Sequence, residues 1–323
     1  MRPREMRRFL ILFAVLAVAA GVGSLLWKTR ITGCAAGGYG PGTILASCTR
    51  AHYGDYEQGA LLQGLEPRED AAARAAEVVA LGYSHGHRAF SGEATRRHFA
   101  TIGRRFHNLS VSGTNSAFAD LLLARLQLRP AVVVIDADPF FVPAGEASLT
   151  PAARRVVQEP ERSWFEYQGR RFWQAVHRRF CPGGWPDLCG GAFSFFRNLE
   201  DGRLVIDYRP LYGDPLPRIP VVRGAPVPDA SIAAFAMHAR AFLERHGLNP
   251  ACVIMTVVPS GQDLERLGEG VAATVGSPYV NPAMEGLMTV DGGHLDDESV
   301  ERWSAAFWRD AQPVLDRCLW RSG

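Results

Sequence analysis

Three short apolar runs rich in β-branched residues constrain the fold of this 323-residue chain more than any other feature. They are Glu77–Leu81 (EVVAL), Ala131–Ile135 (AVVVI) and Cys252–Val258 (CVIMTVV). Gly82 follows the first, Pro130 precedes the second, and Pro259 stops the third. Runs this short and this apolar read as strands buried on both faces. Residues 108–111 add a shorter strand. Helical stretches fall between and after these runs, over 93–105, 116–128, 230–246 and 297–319. The last carries Trp303, Ala306, Phe307 and Val314. Strands alternating with helices imply an α/β fold, a mostly parallel sheet covered by helices on both faces in a three-layer sandwich.

The N-terminus bears on the compartment. Residues 9–27 (FLILFAVLAVAAGVGSLLW) carry no charge. At about 1.5 Å per residue such a helix nearly spans the ~30 Å hydrocarbon core of a bilayer. Arg2, Arg4, Arg7 and Arg8 precede it, while only Lys28 and Arg30 follow closely. That excess keeps the N-terminus cytoplasmic and sends the remainder across. The expectation is a single-pass inner-membrane protein with an extracytoplasmic, periplasmic domain. A signal peptide cleaved at Ala17-Val18-Ala19 is a second reading, and a lipoprotein box at Ile31-Thr32-Gly33-Cys34 is a third. Apolar residues continue past Ala19, and Lys28 and Arg30 break the run before Cys34, so the anchor is favoured. All three export the chain. The division is a basic tail (1–8), a span (9–27), a Gly-rich stalk or surface wrap (28–65) and one domain (66–323).

Six cysteines agree with an oxidising compartment. Proximity pairs Cys34 with Cys48 and Cys181 with Cys189, which leaves Cys252 with Cys318. No C-x-x-C spacing occurs, so a zinc ribbon or thioredoxin-type centre is not expected. The net charge is +2 and no long basic run lies beyond the first eight residues. This argues against nucleic acid as a partner.

Residues 141–228 break the alternation. They hold scattered Pro and Gly and a dense set of aromatics, among them Trp164, Phe165, Phe172, Trp173, Phe195 and Phe196. A stretch this long inside a domain is an insertion or a functional loop. Its aromatics form either its own small core or a platform beside a site. Arg170, Arg171, His177, Arg178 and Arg179 make a local basic patch, read as a solvated helix face or as a contact for an anionic surface.

Two turns carry chemistry. Gly82-Tyr83-Ser84-His85-Gly86 directly follows the first strand, where a parallel sheet can expose a nucleophile. Asp291-Gly292-Gly293-His294 precedes the last helix. A serine hydroxyl needs a base near neutrality, and histidine supplies one. The histidine needs a carboxylate to fix its tautomer, and an Asp three residues earlier can provide it. His85 and His87 form an H-x-H pair beside Ser84. They read as polar groups at the rim of a cleft and possible substrate contacts, His87 or Arg88 toward an acidic group, or else as a metal pair.

A serine after the first strand with a closely spaced Asp-x-x-His near the C-terminus resembles the SGNH (GDSL-like) hydrolase superfamily. The resemblance runs over about residues 77–310, excluding the insertion, and implies a flavodoxin-like topology with Ser84, Asp291 and His294 as catalytic residues. Its second block implies an oxyanion glycine after strand two; Asn108-Leu109-Ser110-Val111-Ser112-Gly113 fits, with Gly113 in that role beside the Ser84 amide. Two departures stand out. Tyr83 replaces the usual Asp before the serine. The third block usually offers an Asn side chain, where this chain reads Asp136-Ala137-Asp138. An ionised Asp138 accepts and cannot donate to a developing oxyanion. Asn115 is the candidate substitute donor, and Asp138 is left as a possible substrate contact. The block layout is similar to that of membrane-anchored periplasmic members related to alginate O-acetyltransferase-like proteins. The resemblance implies ester hydrolysis or O-acyl transfer on an acylated or acceptor carbohydrate, with no metal and no cofactor. The alternative is a non-catalytic shell that binds polysaccharide or scaffolds envelope assembly.

Overall fold

The computed structural model describes residues 3–29, 42–48, 56–138, 140–180, 194–221, 228–260 and 264–319. The chain opens with α1 (Pro3–Thr29). Its segment Met6–Gly23 is long and apolar enough to cross a membrane and is not buried against the rest of the chain, a description that a signal sequence also meets. Then follow β1 (Thr43–Cys48), α2 (Tyr56–Gln63), α3 (Pro67–Ala75), β2 (Val78–Leu81), α4 (Ser84–Ala89), α5 (Glu93–Ile102), β3 (Phe106–Asn108), α6 (Ser116–Leu126) and β4 (Val132–Asp136). The insertion contributes α7 (Pro151–Gln158), α8 (Pro160–Phe180), β5 (Ser194–Asn198), β6 (Leu204–Ile206), α9 (Arg209–Tyr212) and β7 (Ile219–Pro220). The C-terminal part is α10 (Asp229–Arg245), β8 (Val253–Thr256), α11 (Glu265–Val275), β9 (Met288–Thr289) and α12 (Asp297–Leu319).

The three apolar strands and the short β3 form one parallel sheet in the order β3-β2-β4-β8. Alternate residues feed two separate cores, as strand geometry requires. Val79, Leu81, Val133, Ile135 and Met255 pack with Phe118 and Leu122 of α6, Phe242 of α10 and Leu267 of α11. Val78, Ala80, Val132, Val134 and Ile254 pack with Phe90, Phe99 and the α12 residues Trp303, Phe307 and Trp308. Every residue of β2 and β4 is buried, which explains why both are apolar except for Asp136 at the end of β4.

The expected strand at 108–111 lies earlier, at Phe106–Asn108. The Asn108 side chain accepts from the Ser110 N–H and turns the chain out of regular pairing. Leu109 and Val111 are nevertheless buried, and their N–H groups still donate to Ala80 and Gly82 of the neighbouring strand. The expected helix 93–105 ends at Ile102, because Gly103 takes a left-handed cap at φ 63°. Cys252 and Cys318 are disulfide-bonded, joining the start of β8 to the end of α12. Cys34, Cys181 and Cys189 lie outside the described residues.

Part of the region read as stalk or wrap is built into the domain. β1 pairs antiparallel with β5, and β5 with β6, in a second, three-stranded sheet. A small core of Ile44, Ala60, Tyr167 and Leu199 lies beneath it. The insertion's aromatics divide accordingly. Tyr167 and Phe196 are buried, whereas Trp164, Phe165 and Phe172 are exposed on α8. The β5–β6 turn covers the open edge of β3, where Asn108 N–H donates to Asp201 O. Gly202 sits so close to Asn108 O that a Cβ would collide with it.

Arg197 of β5 joins the two sheets. It is fully buried with Glu57 of α2 and Glu69 of α3. It bonds Glu57 at 2.6 Å, Glu69, and the carbonyls of Asn108 and Ser110. Burial opposes ionisation of Glu69, but the Arg197 cation and His107 more than offset it and hold its carboxyl below the usual range.

Candidate active site

Three loops at the C-terminal ends of β2, β3 and β4 carry Ser84, Gly113 and Asp138, the edge of a parallel sheet where ligands are usually met. Ser84 opens α4, so its N–H has no carbonyl partner one turn back. The tight exit from β2 depends on Gly82 and Gly86, where a Cβ would press into Asp136.

The Asp291–His294 turn is set from the other side. β7 pairs with β9, and Thr289 Oγ1 donates to Ile219 O while accepting from Gly292 N–H at 3.0 Å. Gly292 adopts φ 85°, a conformation that favours glycine. Asp291 Oδ1 accepts from the N–H groups of Gly293 and His294. Its Oδ2 lies 2.7 Å from His294 Nδ1. With that nitrogen donating, Nε2 is the acceptor, and Ser84 Oγ lies 2.8 Å from it. Burial opposes ionisation of Asp291, but hydrogen bonds from the His294 ring and from two backbone amides prevail. Its carboxyl therefore stays ionised well below the usual range. The three residues expected to act together form one continuous chain of hydrogen bonds, with the spacing of a nucleophile–base–carboxylate relay.

Gly113 (φ 69°) lines the same cavity as Ser84 and Ser112. Among the described residues its N–H donates to no other backbone carbonyl outside regular elements. The loop that carries it is clamped from behind: Arg197 holds the Ser110 carbonyl, and Gln58 Nε2 donates to Ser112 O.

Other expectations need correction. Asn115 is not a spare donor. It caps α6 by accepting from Ala117 N–H, and its Nδ2 donates to Ser148 O at 2.8 Å. His87 is fully buried, donating from Nε2 to Gly202 O, so it neither touches substrate nor converges with His85 on a metal. Burial and the Arg197 cation hold its pKa well below the ordinary value, leaving the ring neutral. Arg88 is buried too, bonded to Leu295 O and Asp297 and lying over the Tyr208 ring. Among the described residues no group of three His, Cys, Asp or Glu is arranged to hold a metal ion. Asp138 is not open to substrate either. It is 2% exposed, and its Oδ2 lies 2.5 Å from His85 Nδ1.

His85 and Asp138 thus make a second imidazole–carboxylate pair, with the His85 ring centred 5.0 Å from that of His294. Burial disfavours the imidazolium, but Asp138, Asp136 and Asp291 outweigh it and raise the His85 pKa. Behind this pair lies Asp136, fully buried, with its pKa pushed up to about 7 by burial and by Asp138.

The cavity over Ser84 measures about 260 Å³. Beyond Ser84, Ser112, Gly113, Asp291 and His294, its walls are Phe195, Leu204, Ile206, Tyr208, Leu211 and Tyr212, all from the insertion. Phe195 was legible only as one aromatic among many. The aliphatic residues carried no signal, because their role follows from the pairing of Phe195 with Ile206 across β5 and β6. Arg197 did carry one: it is a lone charge in an apolar strand, SFFRN, and such a charge calls for buried partners. Larger grooves exist elsewhere, one of about 650 Å³ between α10 and α11 and one of about 420 Å³ lined by residues of α5, but neither touches Ser84.

Comparisons of the chain with protein-family models, with curated proteins and with solved structures find no match.

Proposed function

We propose that this protein is a serine-dependent acyl-transfer enzyme of the SGNH (GDSL-like) type, an ester hydrolase or O-acyltransferase. The observation that carries the reading is the unbroken Asp291–His294–Ser84 relay, spaced at 2.7 and 2.8 Å. Ser84 Oγ attacks the acyl carbonyl, His294 Nε2 takes its proton, and Asp291 stabilises the imidazolium. The amides of Ser84 and Gly113 receive the oxyanion. His294 returns the proton to the departing alcohol, and water or an acceptor hydroxyl then releases the acyl group. The alternating core packing supports a three-layer arrangement of the superfamily's kind. The intended substrate is an acylated or acceptor carbohydrate of the cell envelope or an exported glycan. The domain is proposed to be periplasmic, held by α1 in the inner membrane.

The test is treatment with a serine-reactive fluorophosphonate, read by intact mass, on the wild-type chain and on Ser84→Ala and His294→Ala. One adduct on wild type, absent from Ser84→Ala and slowed at least a hundredfold in His294→Ala, supports the reading. A folded protein that stays unlabelled supports a second one, a non-catalytic shell that binds polysaccharide or scaffolds envelope assembly. A specific observation favours that alternative: the Asn115 amide is engaged with Ser148, and Asp138 stands where a donor is expected. Loss of one oxyanion donor typically costs about 10²–10³ in turnover.

A further inference from the structure

We propose that the cavity over Ser84 receives the acyl group, and that its walls select medium-length aliphatic acyl chains over acetyl. This inference rests on the serine chemistry proposed above.

The first argument is position. In the acylation step the Ser84 Oγ–acyl carbon bond forms and the bond from acyl carbon to the alcohol oxygen breaks. The serine proton passes through His294 to the leaving alcohol. The carbonyl oxygen must then lie against the Ser84 and Gly113 amides. Ser84 and Gly113 both border this cavity, so a chain attached to that carbonyl carbon has it as its adjoining space.

The second argument is wall chemistry. Phe195, Leu204 and Ile206 present one face of the β5–β6 hairpin, since Phe195 pairs with Ile206, and Leu204 lies two residues before Ile206 on the same side. Leu211 adds a further apolar wall. The Tyr212 hydroxyl is directed to Asp291 Oδ2, 3.4 Å away, and the Tyr208 ring lies against the Arg88 guanidinium. Apart from Asp291 and His294, no acidic or basic side chain borders the space. A sugar ring laid against Phe195, Leu204, Ile206 and Leu211 would find no hydrogen-bonding side chain on that wall, which is unfavourable for its hydroxyls. A hydrocarbon chain gains from the same walls, roughly fourfold in binding per buried methylene.

The third argument is size. About 260 Å³ lies just below the roughly 300–1,000 Å³ of pockets that hold whole small molecules. The single methyl of an acetyl group would fill little of it.

The experiment measures kcat/KM on p-nitrophenyl acetate, butyrate, hexanoate and octanoate with the full chain in detergent. The fluorophosphonate adduct at Ser84 is quantified in parallel. The expected result is a rise of up to roughly fourfold per added methylene from acetate to the optimum, and at least tenfold in total from acetate to hexanoate. Ile206→Trp, which fills the cavity, should lower the hexanoate-to-acetate ratio at least tenfold. Ile206→Ala, which enlarges it and tests the wall should the first variant not fold, should move the optimum toward octanoate. A labelled Ser84 with acetate preferred, and a ratio unmoved by Ile206→Ala, would overturn the acyl assignment and leave the serine chemistry standing. No adduct and no ester turnover would overturn both.

Discussion

At the scale of single residues, the relay was readable because each half is local. Asp291 and His294 share one turn, and Ser84 sits where the first buried strand ends. What brings the halves to 2.8 Å is tertiary. Asn115 shows the limit of local reading: its amide looks available in the sequence, but Ser148, far along the chain, takes it. Asp136 reads as an ordinary strand-end carboxylate and is instead buried, with its pKa near 7. Its ordinary value is about 3.9. Between those pH values the folded state binds more protons than the unfolded one, so stability falls as pH rises through this window. The loss is on the order of a few kcal/mol, complete above about pH 7. Asp136→Asn should therefore raise the melting temperature more at pH 8 than at pH 5. Thermal melts of both proteins at the two pH values test this, and an equal gain at both would count against a carboxyl that is neutral at pH 5.

At the scale of elements, the parallel strands were legible because burial on both faces leaves an apolar signature with no need of context. The hairpin of β5 and β6 was not. Its strands read as part of an irregular aromatic stretch, since β1, the outer partner of β5, lies about 150 residues earlier. The hairpin's hold on the domain is electrostatic as well as apolar. Arg197→Met should leave Glu57 and Glu69 buried without their cation, at a cost of about 3–5 kcal/mol. Chemical denaturation measures it, and a loss below 1 kcal/mol would mean that the glutamates take up protons or solvent at little cost. The disulfide acts on another element pair. Cys252 and Cys318 are 66 residues apart, and closing a loop of that length restricts the unfolded chain by about 4 kcal/mol on the chain-entropy account. Replacing both by Ser should lower the denaturation midpoint accordingly. An unchanged midpoint would place the constraint in the native helix packing instead.

At the scale of the whole molecule, two sheets of different type share one buried ion cluster and one cavity. Arg197 touches carbonyls at the end of β3 and just beyond it while its own strand belongs to the antiparallel sheet. The two sheets should therefore open together. Native-state hydrogen exchange is expected to give the slowest amides of β2, β4 and β5 a common opening free energy. A markedly lower value for β5 would make the hairpin a separate cooperative unit.

Phe195 and Arg197 project from the same side of β5, one toward the cavity above Ser84 and the other to the backbone behind Gly113. Strand geometry ties them together: sliding β5 by one residue would turn both away at once. The β5–β6 turn has no slack either, since Gly202 already lies against Asn108 O. In evolutionary terms, descendants of this chain can explore new substrates by point substitution along the hairpin. Insertions and deletions there would remove the selective wall and the loop's support in a single event, so the length of residues 194–206 should vary far less among descendants than the side chains they carry.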